Sequence, residues 1–227
     1  KDNRPQPAKL TGQLGTKYVT IAERLKEAGY ANAFLGKWHI APSVARGGRV
    51  APELSPTGQG FDVNIGGTSY GGPPSFFSPY RNAELPDGPK GEYLPDRLVD
   101  ETIKFIRAKK DQPWMTHLWF YTVHWPMQAP EALLKKYANR KGPGLNDTRY
   151  GAMIEAMDAS IGRLLKALGE MGELAMAAHQ AMANTNTSAE GGVGWKQMGR
   201  YVDECMMLES TGNFPREPRP EEVQRHQ

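Results

Sequence analysis

Apolar residues recur at helical spacing at Ile21, Leu25 and Ala28, preceded by Thr20, a residue that caps helix N-termini, and followed by Gly29, which suits a helix C-terminus. This pattern predicts a short helix. Tyr30 to Leu35 is then an aromatic and apolar run of strand length that stops at Gly36. A second helix is predicted from Leu94, where Pro95 fits a first turn and Leu98, Val99, Thr102, Ile103 and Ile106 line one face up to the basic end Arg107, Lys109 and Lys110. Asp111-Gln-Pro113 breaks it, and "WMTHLWFYTVHWP" follows, β-prone and with too little alternation for a half-exposed strand. It reads as a central strand ending at His124. Pro130 can open a short helix through Ala138. Asn146 or Asp147 can cap a longer one with Tyr150, Ile154, Met157, Ile161, Leu164, Leu165 and Leu168 on its apolar face. Helix and strand alternate twice, which predicts an α/β fold.

Between Ile40 and Pro95 the chain carries nine prolines and ten glycines, too many for interior strands or helices. Phe61, Tyr70, Phe76, Phe77 and Tyr80 lie within it, so the excursion is expected to pack. After Leu174 no strand run remains, and the stretch from Asn213 is mostly charge and proline. Residues 175–227 are therefore expected to be an irregular, poorly ordered tail.

Composition narrows the function classes. The 227 residues include five Trp and nine Tyr, enough for a sizeable core, and a formal charge of +3 spread along the chain gives no basic stripe for nucleic acid. No run approaches the roughly 18 apolar residues of a membrane helix. Cys205 stands alone, with no His or Cys nearby at metal-ligand spacing, and reads as an unreactive thiol.

The chemistry concentrates in "FLGKWHIAP", residues 34–42. Side chains two apart on a strand share a face, so Lys37 and His39 would form a cationic pair where the strand ends. If His124 ends a parallel neighbour, all three gather at the carboxyl ends of sheet strands, where open α/β sheets bind ligands. Lysine offers a compact charge with three donors, and imidazole a directed donor able to hand a proton to a leaving oxygen. That arrangement would hold a polyatomic anion. A solvated lysine and a hydrogen-bonded structural histidine would leave the same pattern, so spacing alone does not decide. His117, inside the strand, reads as a satisfied core residue, and His179 and His226 fall in the irregular tail.

The run "TIAERLKEAGYANAFLGKWHIAP" resembles the helix, GY, strand and GKWH segment of the sulfatase family, and "GFDVNIGG" at 60–67 resembles the GFD that follows it. "FYTVHWPMQAP" is similar to the family's strand ending in H-x-P-x-x-x-P, and "YGAMIEAMDASIGRLLKAL" to its helix with an Asp and an Ile-Gly pair. The stretch "GGPPSFFSPYRNAELPDGPKGEYLPDRLVDETIKFI" is also similar to members acting on aryl or sugar sulfates. The resemblance implies residues 1–174 of a partial catalytic domain. Its fold would be the alkaline-phosphatase-like sandwich, a mixed, largely parallel sheet with helices on both faces, incomplete in this chain.

It further implies hydrolysis of a sulfate monoester through a formylglycine nucleophile and calcium, with Lys37, His39 and His124 as catalytic, sulfate-contacting residues. Partners would be small-molecule or glycan sulfate esters, and location periplasmic, secreted or lysosomal. The family's CxPSR or SxPSR nucleophile motif occurs nowhere in the sequence, and neither do its paired N-terminal aspartates or its TSDNGG metal motif; "TSAEGG" at 187–192 is the nearest text. No metal ligand is therefore assigned, and the chain alone is expected to be inactive. A non-catalytic anion-binding remnant and a phosphonate or phosphodiester hydrolase are the alternatives. Strands left unpaired would expose apolar surface, so a marginal, aggregation-prone chain is expected.

Overall fold

A computed structural model describes residues 12–42, 46–140, 142 and 147–172. The chain divides into two compact units at Leu168. The second is described only over 168–172, so the tail, Cys205, His179, His226 and "TSAEGG" lie outside the described residues, as does Asn146.

Helix α1 (Ile21–Glu27) begins in a full capping box: Glu23 N–H donates to Thr20 Oγ1, and Thr20 N–H to the Glu23 carboxylate. Gly29, at φ 84, lets the chain reverse as the amides of Gly29 and Tyr30 close back on Lys26 and Leu25. Strand β1 (Ala31–Gly36) follows, buried throughout. Asn32 and Phe34 face α1: the Asn32 side-chain amide donates to Ala22 O, and Phe34 packs with Ala22, Trp38 and Phe61.

The proline- and glycine-rich excursion is packed as expected. Val50, Phe61, Phe76, Tyr80 and Leu85 are buried, with Tyr70 and Phe77 partly so. It contains two single 3-10 turns, Pro52–Leu54 and Thr57–Gln59, and a three-residue strand β2 (Val63–Ile65). The GFD sequence fastens it to β1: Asn32 N–H donates to the Asp62 carboxylate, which also pairs with Lys26 at 2.7 Å.

Helix α2 (Leu94–Lys109) buries Leu98, Val99, Thr102 and Ile106, but Phe105 takes the place expected for Ile103, which is only partly buried. Strand β3 (Trp114–Trp119) then returns beside β1. The sheet has the order β2-β1-β3 with both pairings parallel, and α1 and α2 flank it.

Two expectations need correction. The predicted central strand stops at Trp119 rather than His124, and it is an edge strand among the described residues, partly buried, with Trp119 43% exposed. The apolar run thus spans a strand and the turn after it. Helix α3 (Glu131–Tyr137) agrees with its prediction, but α4 (Thr148–Glu170) turns a different face inward. It buries Ala152, Met153, Ala156, Ser160 and Ala167 and leaves Tyr150, Ile154 and Leu165 exposed. Small residues permit close approach: the Tyr137 ring of α3 lies over Gly151, Ser160 Oγ donates to Asp96 at 2.8 Å, and Arg163 pairs with Asp96 and Asp100 of α2.

Candidate functional site

All three strands run the same way, so their carboxyl ends lie at one edge of the sheet. Hydrogen bonds tie those ends together. Lys37 N–H donates to Trp119 O at 2.7 Å, His39 N–H to Thr68 O at 3.0 Å, and the Tyr121 hydroxyl to Gly66 O at 2.7 Å. Asn82 donates to the same Gly66 carbonyl at 3.0 Å.

Strand alternation is not what orients Lys37 and His39. Gly36 leaves the strand at φ 99, where a Cβ would collide with the Trp119 carbonyl. Trp38 then turns inward: its indole is buried against Phe34 and Phe61 and donates to Leu54 O at 2.8 Å. His39 takes a left-handed φ of 51, a conformation histidine tolerates better than most residues; the residue reaches solvent but lays its ring against Gly71, while Lys37 stays half-buried. A wedged tryptophan thus fixes the two flanking side chains.

His124 arrives from the turn after β3. Its Nδ1 lies 3.2 Å from Trp125 O. A Cβ on Gly71 would stand 2.8 Å from His39 Nδ1 and 3.5 Å from His124 Nε2, so the two imidazoles flank one bare stretch of backbone. A Cβ on the neighbouring Gly72 would stand closer still to the His124 ring and would collide with Trp125 O. Lys37, His39 and His124 are brought together: burial, then the Lys37 ammonium, then the His124 imidazole hold the His39 pKa below its ordinary 6.5. One ammonium and two imidazoles gathered around bare glycine backbone are donors suited to a small oxyanion.

The remaining residues of the second histidine's segment brace the excursion. Gln128 accepts from Phe76 N–H at 2.8 Å, and the Tyr93 hydroxyl donates to Gln128 O at 3.1 Å. Sequence reasoning assigns no role to Trp38, Gly71 or Gln128. A glycine doublet is the only textual signal for Gly71.

His117 is not the satisfied core residue expected. It stacks on Trp119, with centroids 5.4 Å apart, and meets Phe61 edge-on at 5.2 Å, while its shielded Nδ1 has no hydrogen-bond partner among the described residues. Ring packing rather than hydrogen bonding places it, and burial lowers its pKa. Among the described residues no three His, Cys, Asp or Glu side chains come together as a metal cage. They do not fit the calcium that the family resemblance implies.

A family model described as Sulfatase matches residues 2–176. Among curated proteins, the N-acetylgalactosamine-6-sulfatase of Rattus norvegicus is 27% identical over 193 residues, covering 75% of this chain and 33% of its own length. The arylsulfatase of Klebsiella aerogenes is 29% identical over 145 residues, covering 58% of this chain and 30% of its own. The crystal structure of Ps i-CgsB superposes with a TM-score of 0.57 at 22% identity, covering 73% of this chain and 40% of that one. The putative sulfatase yidJ from Bacteroides fragilis superposes with a TM-score of 0.51 at 20% identity, covering 70% of this chain and 42% of that one. The chain spans about a third of the length of these curated relatives. With a parallel sheet flanked by helices and a family match over most of its length, the chain belongs to the sulfatase family, whose reaction is sulfate ester hydrolysis.

Proposed function

We propose that this chain supplies the sulfate-holding wall of a sulfatase active centre, acting on a sulfate monoester of a sugar or aryl alcohol. The convergence of His39 and His124 on Gly71, with Lys37 alongside, carries the reading. The Lys37 ammonium would neutralise the sulfate oxygens as a point charge, and the two imidazoles would direct N–H donors at them. An imidazolium at either position can also give its proton to the departing ester oxygen, which makes leaving easier than as an alkoxide. Electrostatic preorganisation of this kind is commonly the largest catalytic contribution.

The sequence holds no CxPSR or SxPSR nucleophile motif and no carboxylate cage forms among the described residues, which supports reading the chain by itself as a binding half without turnover. Inorganic sulfate should bind it, by calorimetry, and Lys37→Ala, His39→Ala and His124→Ala should each weaken that binding by about tenfold, the scale of one charge-assisted hydrogen bond. Unchanged affinity in all three variants removes the site. No release of 4-nitrophenol from its sulfate ester is expected, with or without calcium, and clear turnover overturns the assignment of a binding half.

A further inference from the structure

The residue after His124 carries a feature the sulfate site does not use. Trp125 is 59% exposed, the most open of the described tryptophans, although its backbone carbonyl is engaged by the His124 ring and by Arg46 Nη2 at 3.2 Å. The guanidinium of Arg149 lies 5.3 Å from the centre of its ring. Arg149 is itself clamped: its Nε and Nη2 donate to the two Asp147 oxygens, the shortest at 2.6 Å. An exposed indole is thus backed on one face by a braced cation, set in place before any ligand arrives, and attached to the backbone of a sulfate-site histidine.

We propose that Trp125 is a stacking platform for the pyranose ring that bears the sulfate ester, an assignment that rests on the anion-site reading above. Trp125 follows His124 directly in the chain and its carbonyl touches the His124 ring, so an exposed indole at this position can take the ring that carries a bound anion, through apolar contact with that ring's C–H face. The choice of a sugar over an aryl ring comes from the surrounding donors. Each guanidinium has five N–H groups; among the described residues Asp147 engages Nε and Nη2 of Arg149, so that Nη1 can donate to a ligand, and Arg46 places one nitrogen on Trp125 O. Pyranose hydroxyls and ring oxygens accept such bonds. An unsubstituted aryl ring has nothing to accept them.

Calorimetry on the 227-residue chain with inorganic sulfate, phenyl sulfate and glucose 6-sulfate tests the assignment. Glucose 6-sulfate should bind about tenfold more tightly than inorganic sulfate, as expected for one stacked ring. Trp125→Ala should abolish most of that ratio and Trp125→Phe should keep most of it, with circular dichroism confirming that both variants fold. A ratio unchanged in Trp125→Ala overturns the platform, and a preference of the wild type for phenyl sulfate over glucose 6-sulfate overturns the sugar. Failure of inorganic sulfate to bind would instead count against the anion site. The platform is then read separately with unsulfated methyl glucoside: a shift of the Trp125 indole N–H resonance, identified by its loss in Trp125→Phe, supports it, and no shift overturns it.

Discussion

The charge of the His39 imidazole is the variable that a bound anion would control. In the free chain, burial, the Lys37 ammonium and the nearby His124 imidazole keep the ring neutral to a lower pH than an ordinary histidine. A sulfate between the cations would reverse that balance and raise the pKa, so binding takes up a proton. Sulfate affinity should therefore climb as pH falls from about 8 towards 5, and the gain should continue below 6.5 because the free ring titrates there. Calorimetry across that range in His39→Gln, which cannot take the proton, should give a flatter profile than the wild type; parallel profiles would remove His39 from the linkage. Lys37, His39 and His124 are legible in the sequence because each sits in a short motif. Trp38 and Gly71 are not, since one acts through a buried indole and the other through lacking a side chain. Neither leaves a chemical signature in a linear text.

At the scale of elements, the bend after β1 has the most stringent requirement. An alanine at Gly36 would need a left-handed backbone and would drive its Cβ into the Trp119 carbonyl, so no side-chain rotation relieves it. Gly36→Ala should cost at least about 3 kcal/mol in urea unfolding, or leave no folded chain. Gly162, inside α4 with nothing within 4 Å of the place a Cβ would occupy, is the counterpart: Gly162→Ala should stabilise by up to about 1 kcal/mol through helix propensity. Equal effects at the two positions would contradict the geometry. The capping box of α1 and the start of α2 are readable because they are local, set by side chains three or four residues apart. Strand β2 is not, since three residues between Asp62 and Gly66 carry too little pattern and are held by pairing with β1. The inward face of α4 escapes a pattern of large apolar residues because alanines and a serine are what let the helix approach its neighbours.

For the molecule as a whole, apolar surface outruns what the described residues cover. Among the described residues, β3 is an edge strand with unpaired backbone beside a 43% exposed Trp119, and α4 shows Tyr150, Ile154 and Leu165 at 41 to 48% exposure. The 227-residue chain expressed alone should self-associate, with light-scattering mass rising as concentration rises. A monomer that melts cooperatively at high temperature would refute this. The α/β class is legible from alternation of helix and strand, but strand order is not, because register depends on contacts distant in sequence.

The glycine floor beneath His39 and His124 carries a last consequence. Wherever a pocket's base is bare peptide, substitution cannot enlarge or recharge it without closing it. Any divergence in which ester is chosen would have to be written at the brim, at positions such as 46, 125 and 149, while the seat for the acid group stayed constant.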